Sequence, residues 1–372
     1  MADHAVLQPS AAHRWGGPAP CAGSVAVEAA IPEDEESEDV RQGHAAHWVC
    51  QMLLVAGWLP DVGEVAPNGV VIDVEMRDGA ELYVGYIRGV LGKAPEHVEQ
   101  RTLGGAIHEA CWGTPDADHF EGNILDVFDY KYGHRYVEVF ENEQLICYAA
   151  DRLALLDGLG DQLVRVRFHI IQPRSFHRSG PIRAWECKGS DLRPLINRLQ
   201  GAAAAALAPG AATTATPDNC RDCRARTRCD AAQAAGMDAC AVAGTSVPFD
   251  LSLSEAARYL ALVQRAQGQL TAMATGLEEQ LIKALLKGQH VPGFALDSTK
   301  PRERWIGDVS ELFTLGDLFG KDLRAPPQPI GIAAARKLGI DESVISQYTD
   351  RPKGAIKLVP MDFTATKKVF GQ

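Results

Sequence analysis

The segment Gly113–Gly133, GTPDADHFEGNILDVFDYKYG, constrains this chain more than any other feature, because it puts four aspartates into what otherwise reads as two short strands. A two-residue turn at Gly122-Asn123 sets the register. Glu121 then faces Ile124, Phe120 faces Leu125, Asp118 faces Val127 and Asp116 faces Asp129. Carboxylates opposed across a strand pair repel at about 5 Å between β-carbons, unless a cation or a proton sits between them. Asp129 and Lys131, two residues apart, point to one face. Acids that hold a divalent ion beside an ammonium group describe a phosphodiester-cleaving centre using Mg²⁺ or Mn²⁺. The competing reading makes Asp116 and Asp129 solvating residues of an edge strand and Lys131 an ordinary surface partner. Asp118 and Asp126 are assigned to solvation.

The rest of the chain supplies the frame. Its 372 residues suffice for one large domain or two ordinary ones. Helices are expected over Glu38–Ala56, Asp78–Gly92, Asn142–Leu156, Leu192–Leu207 and Leu253–Lys287, with a strand in QLVRVRFHIIQP. Pro9-Ser10 is expected to cap a short helix over AAHRW. Gly288 ends the long amphipathic helix, and APGAATTATPDN reads as a linker. No apolar run approaches the roughly 20 residues of a membrane span. The N-terminus lacks the plan of a secretory signal, so a cytoplasmic protein is expected.

The formal charge of −11 argues only weakly against a nucleic-acid partner. Six of those charges lie in EDEESED, Glu33 to Asp39, read as a solvated loop, while arginines cluster in VRVRF, PRSFHRSGPIR and CRDCRARTRC. Of the nine cysteines, Cys220, Cys223 and Cys229 have the spacing C-x2-C-x5-C. Three thiolates so placed can share a metal ion or cluster but need a fourth ligand, for which Cys21 and Cys240 are candidates. Cys50, Cys111, Cys147 and Cys187 stand singly and read as core residues. Arg221, Arg224, Arg226 and Arg228 suit either phosphates or the charge of a cluster.

GHAAH, GTPD, DYK and QLICY occur in the order that marks the RecB-type branch of the PD-(D/E)xK nucleases, and the chain resembles that branch. The matching residues are Gly43 and His47, Gly113 and Asp116, Asp129 and Lys131, and Gln144 and Tyr148. The resemblance implies an α/β fold, a mixed central sheet flanked by helices. It implies metal ligation by His47, Asp116, Asp129 and the Tyr130 carbonyl, with Lys131 catalytic. Gln144 and Tyr148, one helical turn apart, would orient the lysine or contact the DNA backbone. His44 stays on the solvent side.

Iron–sulfur members of the branch, AddB-like and CRISPR adaptation nucleases, carry one cysteine before the first motif and three after the last. That plan selects Cys21 with Cys220, Cys223 and Cys229 for a [4Fe–4S] cluster, with structural Zn²⁺ as the alternative. The implied organisation is a nuclease domain with its cysteine lobe over 1–240 and an extension over 250–372. SAAHRW and the tail HVPGFAL to KLVP resemble a phage and prophage group of such nucleases. The expected function is a metal-dependent DNA exonuclease acting on DNA ends in phage recombination within the host cytoplasm, with a single-strand annealing protein as partner. The alternative is a non-catalytic DNA-binding or assembly protein on the same scaffold. AAARKLGIDESVISQY is read as helical packing rather than a DNA-reading motif, and Arg351, Lys353 and Lys357 as solubilising or backbone-touching residues.

Overall fold

The computed structural model describes residues 5–32, 36–156, 162–244, 250–298, 304–305, 309–325, 328–329, 332–350 and 356–360. The chain divides into two units, Met1–Ala274 and Thr275–Gln372. Among the described residues no helix is long and apolar enough to cross a membrane.

Unit 1 begins with a 3-10 turn at Pro9–Ala11 and two short helices, α1 (Ala12–Trp15) and α2 (Ser24–Ala29). The expected Pro9-Ser10 cap is not what starts this segment: Gln8 holds the cap position and Pro9 follows it, where the missing N–H costs nothing. Helix α3 (Glu38–Gln51) is capped by the Ser37 side chain on Val40 N–H and continues as a π-helical turn, Met52–Ala56. Part of the acidic run thus belongs to a helix. Glu38 and Asp39 lie in its first turn, where the helix dipole favours them, while 33–35 lie outside the described residues. Helix α4 (Val74–Leu91) starts a turn earlier than expected because Asp73 caps it, accepting from Met76 N–H.

The sheet comprises β1 (His97–Val98), β2 (Ala117–Glu121), β3 (Ile124–Tyr130), β4 (Arg165–Ile171) and β5 (Ile182–Lys188), in that spatial order. The β3–β4 pair is parallel and the other three pairs are antiparallel. The parallel step requires a crossover, supplied by α5 (Glu143–Ala154), which Asn142 caps. Then follow α6 (Arg193–Leu207), α7 (Pro217–Arg221), α8 (Asp230–Ala243) and α9 (Leu253–Leu286). The expected mixed sheet flanked by helices is therefore present.

Alternation along β3 feeds two cores. Leu125 and Val127 pack with α5, α6, Leu7 and Trp15 on one face, whereas Phe128 and Tyr130 pack with α3 and α4 on the other. Cys50, Cys111 and Cys147 are buried in these cores, as their isolated positions suggest. Gly79 lets the Tyr130 ring lie against α4, since a β-carbon there would collide with its hydroxyl.

Two of the assigned solvating residues are instead buried. Asp118 and Asp126 are each 2% exposed, because their strands lie inside a sheet covered on both faces. Asp118 is held by Arg152 Nη2 at 2.8 Å and His97 Nδ1 at 2.8 Å. Asp126 lies opposite Arg167 in the parallel register and takes its fork at 2.7 and 2.6 Å, with His169 Nε2 at 2.9 Å. His169 in turn contacts the Tyr86 hydroxyl and stacks on Phe128.

Unit 2 contains β6 (Phe294–Ser298), β7 (Arg304–Trp305), α10 (Val309–Leu318), β8 (Arg324–Ala325), β9 (Gln328–Pro329), α11 (Ile332–Lys337), α12 (Glu342–Ile345), β10 (Thr349–Asp350) and β11 (Ile356–Pro360). Its strands form three two-stranded ladders, β6–β11, β7–β10 and β8–β9. Helices α11 and α12 pack around Ile332, Ala335, Ile340 and Ile345. Arg351 and Lys353 lie outside the described residues, as does the side chain of Lys357.

Although burial opposes its charge, His169 and Arg167 hold the Asp126 carboxyl below its ordinary pKa. Its stabilising contribution is therefore complete above the unfolded value of about 3.9 and disappears as pH falls through the lower folded value. Asp126→Asn should cost about 3 kcal/mol at neutral pH. Urea midpoints of the two proteins should stay separated from neutral pH down to about pH 5 and converge below about pH 4.

Candidate active site

The site forms where β1, β2 and β3 meet α3 and α5. The β2–β3 ladder has the expected register from Glu121↔Ile124 to Ala117↔Phe128, one step short of Asp116 and Asp129. Asp116 sits just before β2, and its Oδ2 accepts the N–H of Tyr130 at 2.5 Å. That bond fixes the carboxylate beside the end of β3 and leaves Oδ1 for His47, whose Nδ1 is 3.0 Å away.

Sequence reading missed Glu99. It follows β1, donates its backbone N–H to Asp116 O, and places Oε1 3.8 Å from His47 Nδ1. Its φ of +49° lies in the left-handed region that residues with a β-carbon rarely adopt. Ligand atoms of His47, Glu99 and Asp116 lie within 4.8 Å of one another, the spacing a bound cation needs. The only sequence cue was an acid near a short strand, which is too common to single out.

Asp129 and Lys131 stand beside this group. Lys131 Nζ is 3.0 Å from both Asp129 oxygens, hydrogen-bonded to Oδ1, while the buried Oδ2 accepts no directed hydrogen bond. The ammonium also donates to Gln144 Oε1 at 2.9 Å, and Gln144 Nε2 donates to the Tyr148 hydroxyl at 3.1 Å. Gln144 thus reaches the lysine, and Tyr148 reaches Gln144, from the one face of α5 on which their spacing places them. Tyr130 is buried in the α3–α4 core, edge-on to His47. His44 is exposed and faces Glu36.

Charge is unevenly distributed. Burial and the nearby Asp116 charge raise Asp129 to about 6 against the pull of Lys131. Burial also raises Glu99, with Asp116 adding to it and His47 opposing it. Burial would lower His47, but Asp116 and Glu99 together raise it to about 10. Asp116 is lowered because His47 outweighs its burial. The opposed acids therefore coexist through an imidazolium and an ammonium, one on each side.

Among the described residues Cys21, Cys220, Cys223 and Cys229 form no group with metal-ligand spacing. Cys21 Sγ accepts Thr214 N–H at 3.2 Å, and the thiols of Cys229 and Cys220 both raise its pKa beyond the effect of burial. Cys220 also lies close enough to Cys223 to raise its pKa, which burial pushes to about 12. Cys240 is exposed. Arg226 is buried, with Nη1 donating to Cys223 O, so it supports the loop rather than meeting a phosphate. Arg221 pairs with Asp218.

The fold and site together define a mixed α/β protein with a histidine–carboxylate centre and an adjacent lysine at the rim of its sheet. Residues 4–364 match the family model described as Protein of unknown function (DUF2800), and the chain belongs to that family.

The two glycines of the sequence motifs have different reasons to be glycine. A β-carbon at Gly113 would meet Tyr148 Cε1 at 2.8 Å and Pro9 Cγ at 2.9 Å. One at Gly43, a turn before His47, would meet nothing within 4 Å. Thermal melts should show Gly113→Ala destabilised by about 1–3 kcal/mol through overpacking. Gly43→Ala should instead gain about 1 kcal/mol from helix propensity.

Proposed function

We propose that the protein is a metal-dependent DNA nuclease of the RecB-type PD-(D/E)xK branch, hydrolysing phosphodiesters at DNA ends. The observation that carries this reading is the pairing of His47 with Asp116 and of Lys131 with Asp129 around the ends of neighbouring strands, with Glu99 in reach. Asp129 Oδ2 is buried and takes no directed hydrogen bond, only the Lys131 charge 3.0 Å away, so it has capacity for a further partner.

The donor set suits Mg²⁺ or Mn²⁺: hard carboxylate oxygens with one imidazole. Asp116, His47 and Glu99 would hold the ion, with Asp129, paired to Lys131, as the neighbouring carboxylate. When bound, such an ion supplies Lewis acidity and lowers the proton affinity of water. Lys131 presents a positive charge to a phosphate and is kept in place by Gln144 and Asp129. Tyr148 fixes the amide of Gln144, so its contribution passes through the lysine.

Exonuclease action in phage recombination, and an annealing protein as partner, follow from the resemblance and belong to the same proposal. So does a [4Fe–4S] cluster on Cys21, Cys220, Cys223 and Cys229. One zinc ion with bonds of about 2.3 Å would bring its sulfurs within about 4 Å of one another. Among the described residues no three cysteine sulfurs lie within 4.8 Å of each other, so the choice of cluster over zinc rests on the resemblance.

Linear DNA incubated with Mg²⁺ or Mn²⁺ should be degraded by the wild type, and about a thousandfold more slowly by Asp129→Ala and Lys131→Ala. Equal rates for the three proteins would refute the assignment. Protein purified anaerobically should show a broad visible absorption that bleaches with reductant and is absent in Cys21→Ser. A colourless protein with one bound zinc would exclude the cluster.

A further inference from the structure

We infer that a cavity beside the acidic centre holds one nucleotide, the terminal nucleoside monophosphate unit of the strand being processed. The inference rests on the nuclease reading for the identity of the strand, although the cavity itself is independent of that chemistry. Its volume is about 380 Å³, and it opens between β1, β2 and the last turn of α5. That is room for a nucleotide and little more.

The register fixes its distance from the centre. His97 pairs with Asp118 and Val98 with Ala117, and the next step joins Glu99 to Asp116. Asp118 therefore lies two residues along the chain from Asp116, at most about 7 Å between α-carbons. This is comparable to the step between neighbouring phosphates of an extended strand. Gln144, Tyr148 and Arg152 recur every fourth residue on α5, so the helix face that orients Lys131 also supplies the cavity's arginine.

The lining is divided in a way that matches a nucleotide. Phe120, Leu125 and Leu156 form an apolar side suited to the face of a base. Arg101 and Arg152 are the basic residues of the lining. Arg152 is 8% exposed, with Nη2 bound to Asp118 but its buried Nε without a partner. Arg101 is exposed, makes no ion pair among the described residues, and lies over Trp112, with Cζ 3.3 Å from the ring centroid. Asp118 is already compensated by Arg152 and His97, which leaves Arg101 as the cation available to a phosphate. Glu96, 3.9 Å from His97, is the acid that opposes an anion here.

The test is calorimetric titration of deoxyadenosine 5′-monophosphate into full-length protein in EDTA, where no cleavage occurs. Wild type should bind the nucleotide saturably. Arg101→Gln, which removes an exposed cation, and Phe120→Trp, which fills the cavity without changing charge, should each weaken binding about tenfold. A short 5′-phosphorylated strand should compete with the nucleotide. Absence of saturable binding, or equal affinity in all three proteins, overturns the pocket. Binding without competition by the strand would make the ligand a free nucleotide and overturn its assignment to a strand end. If Asp129→Ala and Lys131→Ala cleave DNA like the wild type while the pocket variants still lose nucleotide binding, the nuclease reading fails and the pocket stands.

Discussion

A carboxylate enclosed between a sheet and a layer of helices needs a cation beside it, and the β2–β3 hairpin brings four aspartates into that situation. The four are compensated in two ways. Asp118 and Asp126 each receive an arginine and a histidine in direct hydrogen bonds. They are saturated, and they tie β2 to α5 and β3 to β4. Asp116 and Asp129 instead have one cationic side chain each, His47 and Lys131. Asp129 Oδ2 has the Lys131 charge beside it but accepts no directed hydrogen bond. Saturated acids behave as structural ties; incompletely satisfied ones are where chemistry can enter.

Glu99 adds a third carboxylate to the unsaturated group at a conformational cost. A left-handed non-glycine residue stores roughly 1–3 kcal/mol, which the surrounding structure must offset. Here the constraint is visible: the Glu99 N–H is anchored to Asp116 O and its side chain faces His47. Without such a turn the chain beyond Val98 would continue along the strand, and the carboxylate would not be held against the imidazole. Strain and uncompensated charge thus occur at the same few residues, away from the saturated pairs further along the sheet.

Patterns with local causes were legible in the sequence. The hairpin register followed from one glycine turn, and the helices from caps and periodicity, so the Asp129–Lys131 pair and the Gln144–Tyr148 face emerged in place. Partnerships formed across the sheet were not legible. Asp126 looked like a solvating residue because its cation, Arg167, lies 41 positions away and becomes its neighbour only through the parallel register. Asp118 was misread for the same reason, with Arg152 arriving from α5. Glu99 was hidden because its importance depends on a backbone conformation and on a histidine 52 residues earlier.

The N-terminal segment illustrates how far packing alone can prepare a site. Cys21 and Cys220 are 199 positions apart in the chain, a loop whose closure is entropically costly. Yet Leu7 and Trp15 already lie in the main core, Gly23 N–H donates to Ala212 O, and Asn219 Nδ2 donates to Ala19 O. Arg14 and Glu28 pair, while Arg14 and Glu28 also bond to the backbone of Asp222 and Arg224. These contacts hold the segment around Cys21 against the segment around Cys220 without help from a metal. A cluster bound there would reinforce a closure that side chains have already made, in contrast to small zinc domains in which metal binding and folding are a single event.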